Sequence, residues 1–432
     1  MANMNELAGL VKELEEQLVT CIRCGMCQSV CPLFEQTRKE ADVARGKLAL
    51  LTGLMDNIFS DPDGVNERLN RCLLCGSCAA NCPSGVNVLE IFIKARAILA
   101  EYKGLSPAKK LIFKKMLANP GTFDTLVSWA GKFQGLFTRP DANAQGTSCA
   151  RLVSPLIGER HFLPLASTPF HKEIPEQGLK TKGRKLKAAL FTGCLIDKVF
   201  PNIARASIRV LDHHGVGVTI PPGQGCCGIP ALASGDRETF TRLVDHNLAL
   251  FEKEKFDVLV TACATCTSTI KKLWPSVHKN PDSGTKKRLE ALSQKTMDIN
   301  QFLVDQVAPE LGNLTGNKDG ETVTYHDPCH LKKSLGVADQ PRQVLRAAGL
   351  NLVEMTGSDK CCGMGGSFNV YHYDLSASIG KLKQQNIADT KCSTLSTGCP
   401  ACMMQISDML AKHKVNIRVR HPMELYADAL QE

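Results

Sequence analysis

One cysteine spacing, written twice, constrains the first quarter of this chain more than any other feature. Cys21, Cys24, Cys27 and Cys31 precede Pro32, and Cys72, Cys75, Cys78 and Cys82 precede Pro83. Each copy reads C-x2-C-x2-C-x3-C-P. A structural zinc site needs only four thiolates, typically as two separated pairs. It leaves the third Cys, the fourth Cys and the Pro of each run without a role. Gly25 and Gly76 follow the second thiol of each copy. A residue without Cβ there lets backbone N–H groups approach the sulfurs.

Runs of this spacing hold 4Fe–4S clusters in bacterial-type ferredoxins, where the fourth Cys of each run crosses to the other cluster. The crossed assignment gives Cys21, Cys24, Cys27 and Cys82 to one cluster, and Cys72, Cys75, Cys78 and Cys31 to the other. Composition agrees with an intracellular redox protein. The 20 cysteines among 432 residues would suggest disulfides in a secreted chain. However, the opening MANMNELAGLVKELEEQLVT reads as an acid-bearing amphipathic helix, without the apolar segment or cleavage site of a secretion signal. No stretch approaches about 18 uninterrupted apolar residues, so no membrane span is expected. The expected location is cytoplasmic. The formal charge of +9 ignores the negative charge that tetrathiolate clusters bring. With no nucleic-acid motif and aromatics at 5%, nucleic acid is not an expected partner.

A chain this long suffices for roughly two to four domains. The expected division is a two-cluster ferredoxin-type module over 1–100, a helical segment and linker over 101–184, and two Cys-Cys-Gly domains over 185–310 and 320–432. In the module, ARGKLALLTGLM (44–55) reads as a helix and SDPDG (60–64) as a loop. VLEIFIKARAILAEY, SPAKKLIFKKMLAN and TFDTLVSWAGKFQGLF read as helices punctuated by Ser-Pro and Asn-Pro-Gly. The basic AKKLIFKKML suits either a membrane or partner surface, or a helical linker packed on its own protein. Residues 138–184 read as a linker with little regular structure.

From residue 185 the chain repeats itself. In unit one, the strands KAALFTGC, VGVTIP and DVLVTACATC alternate with the helices NIARASIRVLDHHG and ETFTRLVDHNLALFEKEK. Unit two repeats the order with TVTYHDPCHL, NLVEM and CSTLSTGCPAC around PRQVLRAAGL and DLSASIGKLKQQNIADT, and MDINQFLVDQV and RHPMELYADAL echo at the two ends. Short apolar strands alternating with helices predict α/β units around mainly parallel strands. The expected fold is therefore α+β: a helical two-cluster ferredoxin-like module followed by two duplicated α/β Cys-Cys-Gly domains.

Each unit carries its own set of five cysteines. Cys194 is followed after 31 residues by Cys226 and Cys227, and after 35 more by Cys263 and Cys266. Cys329 is followed after 31 residues by Cys361 and Cys362, and after 36 more by Cys399 and Cys402. All ten fall at the predicted strand ends, where ligand sites of open α/β sheets gather. Core packing alone explains buried thiols but predicts scattered ones. Five thiols exceed a tetrahedral zinc site, whereas a larger iron–sulfur assembly uses all five. Cys149 and Cys392 fall outside both sets and read as structural thiols.

His326 and His330 flank Cys329, where unit one has TGCLID. They read either as donors to a cluster sulfur or proton relays, or as capping residues at a strand end. His213 and His214 sit at a predicted helix C-terminus and are assigned no chemistry. The glycines of CCGMGGSFN lack Rossmann spacing, and neither a P-loop nor a flavin motif is visible. Hydride chemistry is therefore expected on another polypeptide.

The doubled C-x31-CC-x35/36-C-x2-C pattern behind a two-cluster module resembles the glycolate oxidase iron–sulfur subunit family. It is similar also to the heterodisulfide reductase D subunit and the anaerobic glycerol-3-phosphate dehydrogenase C subunit. The resemblance implies one or two further, noncubane 4Fe–4S clusters, one on Cys194, Cys226, Cys227, Cys263 and Cys266, the other on Cys329, Cys361, Cys362, Cys399 and Cys402. It implies an electron-transfer subunit of a 2-hydroxy-acid (glycolate or D-lactate) dehydrogenase complex. A flavoprotein partner would carry the FAD, and a quinone or another carrier would accept the electrons, with room for contact at the inner face of a membrane. Two rival readings stand beside it: a heterodisulfide-reductase-like catalytic subunit, and a docking subunit with zinc in its C-terminal half.

Overall fold

Proline and its polar predecessor set where three of the N-terminal helices begin. The protein is seen in a computed structural model that describes residues 4–58, 61–140, 148–150, 160–173, 183–307 and 321–430. Asp61 caps helix Pro62–Asn70, its carboxylate accepting from Asp63 N at 2.7 Å. The loop expected over 60–64 therefore yields to helix from Pro62 onward, because Asp-Pro is a favourable N-cap and first-turn pair. Residue 60 lies outside the described residues. Ser106-Pro107 and Asn119-Pro120 likewise open the helical segments that run to Leu117 and Phe137. Helix Ala44–Met55 has the predicted bounds. Helix Val88–Lys103 buries Val88, Ile91, Phe92, Ala95 and Leu99 against the rest of the module.

The expected linker carries a small antiparallel sheet: β1 (Thr138–Pro140), β2 (Ser148–Ala150) and β3 (His161–Phe162). Strand β3 is held from outside, because Asp408 in helix Pro400–Lys412 accepts from His161 N at 2.9 Å. That tether is tertiary, which is why local composition did not announce it. Of Cys149 only the backbone, in β2, is described.

Unit one builds a parallel sheet from β4 (Lys187–Leu190), β5 (Gly217–Thr219), β6 (Val258–Thr261) and β7 (Thr296–Asp298), in the order β5-β4-β6-β7. Unit two repeats it with β8 (Thr322–Tyr325), β9 (Asn351–Leu352), β10 (Thr394–Ser396) and β11 (Arg418–Arg420), in the order β9-β8-β10-β11. In both, the first and third strands are neighbours, so the chain leaves their carboxyl ends in opposite directions and opens a crevice. The first and third cysteine positions of each unit follow those two strands.

The units meet face to face about a pseudo-twofold axis. Helix Pro201–His213 of unit one packs on the last helix of unit two, Pro422–Ala429, with His214 Nε2 3.0 Å from Tyr426 Oη. The reciprocal contact joins helices Asp339–Ala347 and Ile299–Phe302. At the axis Ala264 N donates to Gly398 O at 3.0 Å. Pro400 takes the place of Ala264 in unit two, so it has no N–H to return the bond. Among the described residues, no helix is long and apolar enough to cross a membrane.

Candidate metal centres

Each cysteine run of the module wraps through two left-handed positions. Arg23 and Gly25 have φ of 57° and 85°, and Leu74 and Gly76 have φ of 53° and 73°. Such reversals turn successive N–H groups toward one point, a shape that suits an anionic centre. Leu74 N donates to Cys72 Sγ at 3.4 Å and Phe34 N to Cys31 Sγ at 3.5 Å. One cavity is lined by Cys21, Cys24, Cys27, Cys78 and Cys82. The other is lined by Cys31, Cys72, Cys75 and Cys78. Each cavity therefore gathers three thiols of one run with the fourth of the other, and Cys78 lines both. Burial pushes Cys31 up to about 11 and Cys78 higher still, with neighbouring thiols adding to the rise. Thiols crowded this way give up their protons when a metal offers compensation.

Two buried cations beside the second cavity were not foreseen. Lys47 is 1% exposed and hydrogen-bonds to Asp42 O. Arg96, 3% exposed, donates to Cys72 O at 2.7 Å and to Ala233 O at 2.7 Å. The available signal was a basic residue on the apolar face of helices 44–55 and 88–103.

In each doubled unit the five thiols form a contiguous set at the crevice. Cys194 Sγ lies 3.7 Å from Cys226 Sγ, and Cys227 hydrogen-bonds to Cys226 and Cys266. Cys361 contacts Cys329, and Cys362 Sγ lies 3.4 Å from Cys402 Sγ. Gly228 and Gly363 close each Cys-Cys turn with φ of 93° and 96°. Their N–H groups donate to Cys226 Sγ at 3.5 Å and Cys361 Sγ at 3.4 Å. Hydrogen bonds from adjacent thiols hold Cys227, Cys362 and Cys399 well below the usual thiol range. Cys392 is separate and buried, its thiol on Thr390 O at 3.7 Å.

The four sets also touch one another. Cys75 of the module lies beside Cys361 of unit two. Across the axis, Cys399 lies beside Cys263 of unit one. Thr265 Oγ1 sits 3.4 Å from Cys399 Sγ and 3.0 Å from His330 Nδ1, and His330 also hydrogen-bonds to the Leu74 backbone. Lys333 Nζ donates to Ser77 Oγ at 2.7 Å, beside Cys75. His326 faces the unit-two thiols, and burial pushes it down to about 3, so it is neutral. His214 serves the helix contact described above and lies away from the thiols.

The donor sets suit iron–sulfur centres: soft thiols, many per site, with N–H donors aimed at sulfur. Comparison with known proteins agrees. The 4Fe-4S dicluster domain family matches residues 17–86, and the cysteine-rich domain family matches 188–271 and 323–407. The probable glycolate oxidase iron-sulfur subunit of Bacillus subtilis is 27% identical over 416 residues, 94% of this chain and 92% of that protein. The dihydromethanophenazine:CoB–CoM heterodisulfide reductase of Methanosarcina barkeri has a D subunit that is 26% identical over 439 residues, 96% of this chain and 94% of that protein. Lactate utilization protein A of Exiguobacterium is 31% identical over 245 residues, 56% of this chain and 98% of that protein.

Proposed function

Since this chain belongs to the glycolate oxidase iron–sulfur subunit family, a group of oxidoreductase subunits, we propose that it carries electrons from a flavoprotein partner to an acceptor. The partner oxidises a 2-hydroxy acid, glycolate or D-lactate, and the acceptor is a quinone or another carrier. Iron–sulfur centres supply one-electron steps, which a two-electron flavin needs on its exit side. In this reading Cys21, Cys24, Cys27 and Cys82 hold one 4Fe–4S cluster, and Cys31, Cys72, Cys75 and Cys78 the second. The sets of unit two and unit one hold the further centres.

The observation that carries the reading is contiguity. Cys75 meets Cys361, and Cys399 meets Cys263, so the four thiol sets form one unbroken row. Buried residues surround most of it, which keeps water from the centres. Arg96 and Lys47 place fixed positive charge beside Cys72 and Cys31, where a bound anionic cluster gains stabilisation. The row orders the sites: module first, unit two next, unit one last. The Cys263–Cys399 junction also favours a second reading, in which a disulfide substrate is reduced at the seam between units, as the heterodisulfide reductase relative suggests.

Anaerobic purification of the whole protein with its native partners tests the proposal. A flavin-bearing dehydrogenase should co-purify, and glycolate or D-lactate should bleach the visible absorption of the complex. The isolated chain should not oxidise either acid. Turnover of a hydroxy acid by this chain alone, or bleaching driven only by a thiol–disulfide couple, defeats the first reading.

A further inference from the structure

The two units differ at one position next to their thiols. Phe191 follows β4 and His326 follows β8. Their N–H groups donate to Val260 O and Ser396 O of the adjacent strand, both at 2.9 Å. The two side chains therefore leave equivalent points of equivalent sheets. A Cβ built on Gly193 would lie 3.1 Å from the Phe191 ring and 3.2 Å from Cys266 Sγ, so that ring stands beside the C-x2-C thiols of unit one. In unit two the same position carries an imidazole.

His326 is 1% exposed. Its Nδ1 lies 3.0 Å from Ser358 O, and a carbonyl oxygen only accepts. Nδ1 therefore carries the ring proton, and Nε2 carries the lone pair. Lys383 Nζ donates to Ser358 O at 3.2 Å and to Gly357 O at 2.6 Å, which fixes the carbonyl that orients the ring. Nε2 is buried without a hydrogen-bond partner among the described residues. A ring nitrogen of His326, Cys362 Sγ and Cys402 Sγ all lie within 4.8 Å of one another. A buried acceptor left without a partner is destabilising. Metal-binding histidines almost always donate their other N–H to a carbonyl or carboxylate, as His326 does to Ser358.

We propose that His326 Nε2 is an iron ligand of the centre held by the unit-two cysteines, which makes that site mixed thiolate–imidazole while the site of unit one stays all-thiolate. The inference rests on the reading that unit two holds an iron–sulfur centre. The imidazole adds a neutral nitrogen donor beside the five thiolates of unit two, a donor that the Phe191 ring of unit one cannot supply.

The test is pulsed electron paramagnetic resonance on the whole protein, purified anaerobically and reduced, with and without 15N-histidine. A strongly coupled histidine nitrogen should appear and change with the isotope. This measurement on the unaltered chain stands even if a variant misfolds. His326→Gln should lose the coupling. Iron and sulfide at the unit-two site with no histidine coupling overturns the inference and leaves the proposed function standing. Zinc there, seen as no fall in iron on Cys361→Ser, overturns both.

Discussion

Unit one and unit two share a strand order and a cysteine frame, yet the two thiol sets sit in different media. Beside the first set, the Phe191 ring is 5.9 Å from that of Phe251 and 6.4 Å from that of Trp274, whose Nε1 donates to Cys227 O at 3.0 Å. Beside the second lie His326, the buried Lys383, and Arg342, which reaches Asp327 Oδ1 at 2.7 Å and Glu354 Oε1 at 2.6 Å. Strand order fixes where the thiols go. The residues just beyond the strand ends are free to diverge, and they set the field in which an anionic centre sits. Duplication here keeps the scaffold and varies the electrostatics.

The strongest way to break the comparison is to remove one thiol from each unit. Cys226→Ser and Cys361→Ser should each lower iron content by about four atoms per chain, the content of one 4Fe–4S cluster. Their electrical consequences should differ. Cys361 is the thiol that meets Cys75, so its loss should cut both unit centres off from the module. Loss of Cys226 should leave the unit-two centre reducible by the partner. Electron paramagnetic resonance of partially reduced protein reads the difference. Equal effects from both variants would dissolve the proposed order.

A smaller effect separates the two Cys-Cys turns. A Cβ at Gly363 would stand 2.6 Å from Ser376 O, whereas one at Gly228 would stand 2.7 Å from Phe240 Cδ2. Both positions have a φ that costs an L-residue about 1–2 kcal/mol. The Gly228 contact is to a side-chain atom, whereas the Ser376 carbonyl is backbone of helix Tyr373–Asp389. Gly228→Ala should destabilise by about 2 kcal/mol and Gly363→Ala by about 4 kcal/mol, the excess reflecting overpacking against fixed backbone. Denaturant midpoints under anaerobic conditions decide the ranking.

The thiol sets were legible because ligation needs particular residues at particular spacings, and duplication wrote each spacing twice. The strand–helix alternation was legible for the same reason. What could not be read were contacts between distant segments. Nothing local to Cys75 announces Cys361, and nothing in 138–162 announces that Asp408 would organise a strand there. His326 was visible as a polar residue near a cysteine. Its lone pair, however, depends on Ser358 and Lys383, which reach it only in the folded chain. Arg96 shows the same limit, since its acceptors, Leu69 O and Cys72 O on one stretch and Ala233 O on another, reach it only in the folded chain.

The last and smallest effect lies at the final helix of each unit, where Asp298 and His421 hold equivalent positions. Asp298 caps helix Ile299–Phe302, accepting from Asn300 N at 2.9 Å, and His421 Nδ1 accepts from Met423 N at 3.1 Å in helix Pro422–Ala429. Both are fully buried. Burial pushes Asp298 up to about 6 and His421 down to about 3, so both seats disfavour charge. The two linkages have opposite signs. With its folded value raised, Asp298 contributes stability that is present below the unfolded carboxylate value near 4 and lost as pH rises through about 6. With its folded value lowered, His421 contributes stability that is present above the unfolded imidazole value near 6.5 and lost as pH falls toward about 3. Between about pH 4 and 6 the two slopes offset each other in the natural chain. Asparagine is a good cap at either seat and does not titrate. Relative to the natural chain, Asp298→Asn should therefore gain stability as pH rises across that window, and His421→Asn should lose it. Each slope is at most about 1.4 kcal/mol per pH unit, read as anaerobic melting midpoints at pH 4.5, 5.5 and 6.5. Difference curves of the same sign would show that the two seats are not electrostatic counterparts.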